Sequence, residues 1–492
     1  MAKASTETAE AKGDGHRRSS AKSAASQPQP VEHGIEPVFD GQSEVLVLGT
    51  MPSPKSREAG FFYGHPQNRF WRVLAALFDE PVPEDNAERA DLLLRHHIAL
   101  WDVLASCDIV GASDASIANG RPNDLSRILN GAPVRSVFCT GATATRLYGK
   151  LCEAACGLPA VPLPSPSPAN ASWSLPRLVE AYRPLAAAVT PFDPPVLDVA
   201  AVVALERAIA AVGTPLDALM RRAGRFLAFE VRKLLEEPGR GAVAGMVPCD
   251  GGTMAPCQSG AVAVPGSGET DPRPVVILCG NGNNGGDGWV AGEYLDRWGI
   301  PVRLVTAVPP EALTAEPART AAVRAAAALG PSSQVIVAPP DDKVARWLAA
   351  APLAVDALLG TGFSHERVRP PFDGWIRALN EAHARGAVVV AADVPSGLSA
   401  QTGATAVDTV VADLTVTMIV PKPGLYISRD RGADGQGAIE GEPSVAGTVD
   451  GGAAAAGMAA TAVTPLVPAP CCGRVRVAPL AYIEPLLKSI VG

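Results

Sequence analysis

The chain has 492 residues, of which 47% are hydrophobic and 5% aromatic, and its formal net charge is −8. Such a length accommodates about two or three domains of usual size, and the negative charge excludes a general affinity for polyanions. The nine cysteines contain no C-x-x-C pair and the histidines do not cluster with them. We therefore expect neither zinc nor an iron–sulfur cluster, and we favour a reducing compartment.

The sequence predicts neither a membrane span nor secretion. No apolar run approaches the ~20 residues of a transmembrane helix, and the N-terminus lacks the apolar core of a signal peptide. We expect an intracellular soluble protein without membrane contact. Cytoplasmic, mitochondrial and nuclear locations all stay open.

Residues 1–190 predict a tail followed by one α/β domain. Residues 1–35 hold almost no large apolar side chains, which is typical of a disordered tail. From 36 to 190, patterns of buried strands and amphipathic helices alternate. The strand patterns lie at 44–49, 134–140 and 160–163, and the helix patterns lie at 70–78, 142–151 and 174–188. The proline-rich residues 191–196 form a predicted linker.

Residues 197–492 predict a second α/β domain. It opens with an amphipathic helical stretch, 199–235, that is interrupted at 213–215. Residues 238–272 and 429–470 are low in complexity and are predicted to be disordered insertions on the surface. Strand patterns resume near 275, 304, 335, 355 and 389, and the last lies at 474–477. The sequence thus predicts two three-layer αβα domains with mainly parallel sheets.

Three segments of the first domain carry polar and aromatic residues at strand ends. They are 49–56, 60–71 and 164–170. Together they resemble the uracil-DNA glycosylase superfamily, and most closely the hypoxanthine-DNA (deoxyinosine) glycosylases, over about residues 38–188. The resemblance implies a monofunctional DNA glycosylase that flips a deaminated base from damaged DNA and hydrolyses its N-glycosidic bond.

The family pattern assigns roles to residues of these segments. Asn68 would position the water or the sugar, His65 would polarise the leaving base, and Tyr63 or Phe62 would stack on it. The remaining DNA contacts implied are Arg69 to a phosphate and the loop residues Ser165, Ser167 and Asn170 to the backbone. Met51 stands where the broader superfamily often has a polar residue, which removes the usual water-activating group. Residues 36–190 hold 13 Lys and Arg against 16 Asp and Glu, so any basic surface for DNA must be local.

A glycine- and asparagine-rich run at 280–289 follows one strand of the second domain and precedes a helix. Backbone of this kind approaches ligands closely, and its N–H groups lie at a helix N-terminus, so the run predicts contact with a phosphate or nucleotide. Gly280, Gly282 and Gly285 fit the dinucleotide-binding fingerprint. No acidic residue follows at the position expected for the ribose, so a dehydrogenase is disfavoured and no redox cofactor is expected.

Further motifs occur at 205–207, 219–224, 355–363, 392–397, 412–417 and 421–424. With the glycine-rich run they resemble NAD(P)H-hydrate epimerase over about residues 196–492, apart from the two insertions. The resemblance implies interconversion of the R and S forms of hydrated NADH and NADPH (NADHX and NADPHX). It also implies one potassium ion per epimerase domain.

The resemblance also assigns residues in the second domain. Asp393 would contact substrate and act as the acid/base group, and Lys422 would neutralise a phosphate or assist proton transfer. Potassium would be held by Asn284, Asp356 and Ser396, although Asp356 alone also fits a turn cap. The predicted substrate contacts are Asn283, Asn284, Gly285, Gly286, Asp287, Gly360, Thr361, Gly362, Phe363, Ser364, His365, Glu366, Asp393 and Lys422.

Together these motifs predict a bifunctional damage-repair enzyme. The alternatives are an active epimerase fused to an inactive nucleic-acid-binding module, and a non-catalytic nucleotide-binding scaffold. The resemblance further implies a homodimer through the epimerase domain. It also implies that a separate ATP-dependent NAD(P)H-hydrate dehydratase acts on the product.

Overall fold

The computed structural model of the protein describes residues 28–111, 113–237, 246–248, 254–256, 273–426 and 466–490. Two α/β domains follow one another within these ranges, each built on a parallel sheet. The predicted fold class is confirmed.

The first domain contains two sheets. Its strands are β1 (Gln29–Glu32), β2 (Val45–Gly49), β3 (Ile98–Asp102), β4 (Leu104–Ile109), β5 (Ala118–Pro122), β6 (Ser136–Thr140) and β7 (Ala160–Leu163). The order β3-β2-β6-β7 forms a parallel sheet, whereas β1, β4 and β5 form a small antiparallel one. Every residue of β2 and β3 is buried, as expected of parallel strands that helices cover on both faces.

Seven helices surround these sheets. They are α1 (Pro54–Ala59), α2 (Phe70–Phe78), α3 (Asn86–Arg95), α4 (Ser126–Leu129), α5 (Ala142–Leu151), α6 (Glu153–Cys156) and α7 (Leu175–Ala187). The helices predicted near 70–78, 142–151 and 174–188 are therefore confirmed. A short 3₁₀ turn, Asp114–Ser116, connects β4 to β5.

The small antiparallel sheet corrects one prediction. Residues 29–32 were assigned to a disordered tail, but they pair with Ser106–Ile109 of β4. The pairing is made by backbone groups, and only Val31 of this strand packs against the core, so the side chains give almost no signal. Residues 1–27 lie outside the described part of the chain.

Among the described residues, the main sheet of the second domain has seven parallel strands in the order β12-β11-β10-β13-β14-β15-β16. Its strands are β10 (Val275–Cys279), β11 (Val302–Thr306), β12 (Gln334–Val337), β13 (Leu353–Ala357), β14 (Val388–Ala392), β15 (Leu414–Met418) and β16 (Arg474–Ala478). Alternate residues of β10 enter opposite cores: Ile277 packs with the helices on one face, and Val276 and Leu278 pack on the other.

Seven helices cover the two faces of this sheet. They are α8 (Val199–Ala211), α9 (Leu216–Glu236), α10 (Asn283–Arg297), α11 (Ala318–Ala328), α12 (Asp341–Ala350), α13 (Phe372–Ala384) and α14 (Glu484–Ile490). The predicted break at 213–215 separates α8 from α9. Among the described residues no single helix is long and apolar enough to cross a membrane, and only the α8–α9 pair, bent by 114°, passes by length and composition.

Both predicted insertions fall largely outside the described residues. Within the first, β8 (Met246–Pro248) and β9 (Met254–Pro256) pair as an antiparallel hairpin, so the prediction of disorder is wrong for these two segments. Their short pairing is again a matter of backbone groups, which the low-complexity sequence does not reveal.

The two domains contact each other through charged side chains of α3 and α9. Arg225 Nη2 lies 2.6 Å from Glu88 Oε2, and Arg222 Nη1 lies 2.7 Å from Asp91 Oδ2. Arg222 and Arg225 are both buried. Tyr294 on α10 adds a hydrogen bond of 2.9 Å to Glu84. The glycosylase-like domain therefore covers one side of α9.

Candidate active sites

The first site is a cleft of about 650 Å³ at the carboxyl edge of the first parallel sheet. The chain leaves β2 and β6 in different directions, which makes this the switch point where parallel α/β sheets bind ligands. The cleft is lined by Thr50, Met51, Phe62, Tyr63, His65, Asn68, Asp102, Asp114, Thr140 and residues 165–170. The predicted residues Tyr63, His65, Asn68, Ser165, Ser167 and Asn170 thus lie around one space.

Tyr63 is fixed on one face and at its hydroxyl. Its ring stacks on Phe70 with centroids 3.9 Å apart, and its hydroxyl is hydrogen-bonded to that of Thr140 at 2.8 Å. Burial and the nearby Asp102 raise the pKa of this phenol well above its ordinary value, so it stays neutral. Only the ring face away from Phe70 is free to stack on a base.

Asn68 begins the turn that leads into α2. Its Oδ1 accepts a hydrogen bond of 3.0 Å from the N–H of Phe70, so its amide NH₂ is the group left for a ligand. His65 precedes it, and the imidazole Nδ1 accepts a hydrogen bond of 3.1 Å from the N–H of Gln67. This leaves the other ring nitrogen, Nε2, for a ligand.

Arg69 was predicted to contact a DNA phosphate, but its side chain is directed into the protein. Its guanidinium donates to the backbone carbonyls of Pro166, Ser167, Asn170 and Trp173. Four of its five N–H groups point into the 165–173 loop, so the predicted phosphate contact is corrected. Arg69 instead ties that loop to the start of α2. Within the loop, the Asn170 amide donates to the carbonyl of Ser165 at 3.0 Å.

Two carboxylates that the sequence analysis did not identify also line the cleft. Asp102, at the end of β3, accepts a hydrogen bond of 2.9 Å from His33 and packs so closely on Gly49 that a Cβ there would lie 2.1 Å from Asp102 Oδ1. Asp114, in the 3₁₀ turn, accepts a hydrogen bond of 2.9 Å from the Thr50 hydroxyl. Their signals were faint, because neither residue belongs to the three segments that carried the resemblance.

The second site lies at the carboxyl edge of the seven-stranded sheet, between β10 and β13. The sheet order places β11 and β13 on opposite sides of β10, so this too is a switch point. A Cβ at Gly280 would lie 1.7 Å from the carbonyl oxygen of Leu358, and one at Gly285 would lie 2.0 Å from that of Gly280. Glycine is therefore required where these two strand ends meet.

Helix α10 begins earlier than the sequence predicted. Its first residue is Asn283 and its N-cap is Gly282, so Asn283, Asn284 and Asp287 belong to its first turns. Glycine usually disfavours a helix, and this misled the prediction. Tertiary packing overrides that propensity here, because Gly286, Gly288 and Gly292 each lie against a neighbouring side chain that a Cβ would meet within 3 Å.

The three predicted potassium ligands converge at the end of β13. Ser396 donates its hydroxyl to Asp356 Oδ1 at 2.6 Å and its N–H to Asp356 Oδ2 at 2.8 Å. Asn284 donates to the Leu359 carbonyl at 2.9 Å, and its Oδ1 is buried with no hydrogen-bond partner among the described residues. An orphaned amide oxygen beside a carboxylate, a hydroxyl and a carbonyl is a donor set that fits an alkali cation. Burial raises the pKa of Asp356 to about 6, against the hydrogen bonds from Ser396 and Leu358.

Asp393 follows β14 in a left-handed backbone conformation, with φ 60°. Its Oδ1 accepts hydrogen bonds from the N–H of Met418 at 3.1 Å and from Lys422 Nζ at 2.5 Å. Burial, followed by the charges of Asp393 and Glu206, raises the pKa of Asp287 well above its ordinary value. Asp287 and Asp393 therefore share one electrostatic environment. Glu206, on α8, is the group that sequence reasoning did not assign.

Lys422 is buried, and the structure corrects its predicted contact with a phosphate. Its ammonium donates to Asp393 Oδ1, to the Thr417 hydroxyl at 3.1 Å and to the Met418 carbonyl at 2.9 Å. Because an ammonium has three donors, none is left for a phosphate. Lys422 therefore positions the Asp393 carboxylate.

Only part of the predicted substrate loop after β13 lies close to the site. Gly360 packs on Asn284, where a Cβ would lie 3.1 Å from that of Asn284, and the N–H of Phe363 closes a turn onto the Gly360 carbonyl. The remaining loop residues vary in exposure: Thr361 is half-buried, and Gly362, Ser364, His365 and Glu366 are exposed.

Comparison with known proteins places both domains in known classes of α/β protein. Residues 36–186 match the uracil DNA glycosylase superfamily, and residues 216–424 match the family described as YjeF-related protein N-terminus. The chain is 34% identical to the NAD(P)H-hydrate epimerase of Pirellula staleyi over 165 residues, which are 33% of this chain and 69% of that protein.

The chain therefore belongs to the NAD(P)H-hydrate epimerase family. Its N-terminal domain matches the uracil DNA glycosylase superfamily, so the chain joins the two domains in one polypeptide. The N-terminal domain is similar to the hypoxanthine DNA glycosylase of Methanosarcina barkeri, with 35% identity over 103 residues, 21% of this chain and 65% of that protein. The bifunctional NAD(P)H-hydrate repair enzyme Nnr of Escherichia coli is 37% identical over 168 residues, 34% of this chain and 30% of that protein. The chain thus spans about a third of the length of this bifunctional relative.

Proposed function

We propose that the C-terminal domain interconverts the R and S forms of hydrated NADH and NADPH. The observation that carries the proposal is the placement of Asp393, held by buried Lys422, at the same sheet edge as the glycine-rich start of α10. The α10 N-terminus and its close glycine backbone suit the diphosphate of the substrate. Asp393 is then the carboxylate that exchanges a proton at the hydrated ring, and Asp287 interacts with it electrostatically.

A potassium ion supports this site through charge. When bound, it would supply a positive charge to a site that takes an anionic substrate. Asn284 Oδ1, Asp356, Ser396 and the Leu359 carbonyl would hold it, which gives the orphaned Asn284 oxygen a partner. The test is the melting temperature in potassium chloride against choline chloride at equal ionic strength. We expect potassium to raise the melting temperature of the wild-type chain, and Asn284→Ala to abolish that difference.

The epimerase activity is tested by giving the purified full chain one epimer of NADHX and following the appearance of the other by chromatography. Asp393→Asn keeps the size of the side chain and removes its basicity, and we expect at least about a 100-fold loss of rate. Asp342→Asn, an exposed residue of α12, is the matched control. Equal rates for Asp393→Asn and the control would rule out the acid/base role.

We further propose that the N-terminal domain removes a deaminated purine, hypoxanthine, from DNA. Support comes from the cleft in which Tyr63, His65 and Asn68 meet the 165–170 loop. A flipped base would stack on the free face of Tyr63, with the Asn68 amide and the His65 ring reaching its edge or the sugar. The rival is a nucleic-acid-binding module without activity.

Incubation of the full chain with a duplex that contains one deoxyinosine, followed by detection of abasic sites, separates these two proposals. We expect abasic sites from the wild-type chain and at least about 100-fold fewer from Asn68→Ala, with Asn130→Ala as an exposed control. Release of uracil instead of hypoxanthine would contradict the choice of base. Binding of the duplex without cleavage would favour the binding module.

The remaining assignments concern partners and location. We propose that a separate ATP-dependent dehydratase consumes the epimerase product. We also propose a homodimer through the epimerase domain, for which the side of α9 that faces α3 is not available. An intracellular location is supported by the free thiols of the described cysteines.

A further inference from the structure

The cleft of the glycosylase-like domain lacks an evident base where the superfamily often has a polar residue, because that position is Met51. Hydrolysis of a glycosidic bond still needs a group that accepts a proton from the attacking water. The polar side chains that line the cleft differ in whether they offer such a free acceptor.

Three polar groups of the cleft are already engaged or unsuitable. Asn68 carries an amide, which is not a base, and its Oδ1 already accepts from the N–H of Phe70 at 3.0 Å. Asp102 accepts from His33 at 2.9 Å and is wedged against Gly49, which leaves no room for a water at Oδ1. His65 uses Nδ1 to accept from the N–H of Gln67 at 3.1 Å, so the Nε2 of the neutral ring carries the proton and can only donate.

Asp114 is different in both position and contacts. It begins the 3₁₀ turn between β4 and β5, and its Oδ2 accepts from the buried Thr50 hydroxyl at 2.9 Å. Its Oδ1 has no hydrogen-bond partner among the residues that the structure describes. The turn itself is held by Ser116, whose hydroxyl donates to the Ser113 carbonyl at 2.7 Å and accepts from the N–H of Val110 at 2.8 Å.

We infer that Asp114 is the general base of the glycosylase site, oriented by Thr50, and that it replaces the group missing at Met51. The inference deepens the proposed glycosylase function and rests on it. As the water oxygen bonds to the sugar carbon, the bond from that carbon to the base nitrogen breaks and its electron pair leaves with the base. One proton passes from the water to Asp114 Oδ1, and the departing base takes a proton from solvent.

The electrostatics of the cleft suit this role. Partial burial and the neighbouring Asp102 raise the pKa of Asp114, whereas the Thr50 hydrogen bond lowers it. A carboxylate with a raised pKa is a stronger base. The excision rate should therefore fall as the pH falls through the pKa of Asp114. The titratable groups around it are Asp102, Tyr63 and His65 of the cleft lining and Cys107 of β4.

The test is single-turnover excision from an inosine-containing duplex by the full chain. We expect Asp114→Asn to lower the rate at least about 100-fold while the duplex is bound with unchanged affinity. Asp108→Asn, on β4 outside the cleft lining, is the matched control and should keep the wild-type rate. A rate for Asp114→Asn within about threefold of wild type would overturn the inference.

A second variant keeps the inference testable if Asp114→Asn misfolds. Thr50→Val keeps the side-chain shape and removes the donor to Asp114, so we expect the pH–rate profile to move to higher pH. An unchanged profile would contradict the inference even if Asp114→Asn did not fold. If the wild-type chain excised no base at all, the proposed function would fail, whereas activity that survives Asp114→Asn and is lost in Asn68→Ala would reject only the role of Asp114.

Discussion

Lys422 Nζ lies 2.5 Å from Asp393 Oδ1, and the two side chains are 1% and 14% exposed. Asp393 follows β14, while Lys422 follows β15, so this ion pair joins two neighbouring strand ends at one edge of the sheet. With every ammonium donor occupied, Lys422 fixes the Asp393 carboxylate in one orientation. The site is thereby organised before any ligand enters.

Removal of this ammonium should reduce both stability and activity. In Lys422→Met, Asp393 loses its cation and the Met418 carbonyl loses a donor, and the loss of one partner of a buried ion pair costs about 3–5 kcal/mol. We expect a fall of that size in the free energy of unfolding from urea titration, together with loss of epimerisation. Lys343→Met, an exposed residue of α12, should change neither, and a stable, fully active Lys422→Met would contradict this account.

Replacement of Arg69 should loosen the 165–173 loop. The planar guanidinium of Arg69 donates to four separate loop carbonyls from three nitrogens. Lysine carries its three donors on a single nitrogen, so it cannot contact all four carbonyls at once. We expect Arg69→Lys to increase amide hydrogen exchange in the loop and to lower the rate of base excision. The affinity for single phosphate groups should not fall to the same extent as that rate. Arg146→Lys on the exposed side of α5 serves as the control. Unchanged exchange in the loop would show that other contacts hold it.

The parallel strands and their helices could be predicted because buried strands and amphipathic helices leave a periodic pattern. The site residues at strand ends followed from the same pattern, since ligands bind at the carboxyl edges of parallel sheets. The start of α10 was missed because its stability comes from the packing of Gly286, Gly288 and Gly292. The β1 strand was missed because backbone pairing needs no particular side chains.

The roles of Arg69 and Lys422 needed the structure for a different reason. A buried basic side chain and one that contacts a phosphate look alike in a sequence. Only the positions of four carbonyls around Arg69, and of Asp393 and Met418 around Lys422, distinguish the two. Asp114 and Asp102 likewise become candidate site residues only because the structure places them in the same cleft as Asn68.

Glu88 should hold the two domains together. It faces Arg222 Nε at 3.4 Å and Arg225 Nη2 at 2.6 Å. In Glu88→Gln, Arg225 loses its nearest carboxylate, while Arg222 keeps Asp91 at 2.7 Å, so the cost should be at most the roughly 3–5 kcal/mol of a broken buried ion pair. We expect calorimetry to resolve two unfolding transitions where the wild-type chain has one. Glu58→Gln, which removes only an exposed pair with Lys55, should leave a single transition, and a single transition in Glu88→Gln would refute the proposed coupling.

Glu80 should make the stability of the first domain depend on acidic pH. Burial alone would raise the pKa of this carboxyl, but the Arg95 guanidinium at 2.6 Å and His96 at 2.7 Å lower it from 4.5 to about 2. The folded state therefore binds the proton less tightly than the unfolded state, so the stabilisation is complete above pH 4.5 and disappears as the pH falls towards 2. At 1.36 kcal/mol per pKa unit, the loss amounts to roughly 3 kcal/mol. Urea titrations of wild type and Glu80→Gln at neutral pH and at intervals through this window measure it. The stability gap between the two should narrow as the pH falls, and a gap that stays constant would mean that Glu80 keeps an ordinary pKa.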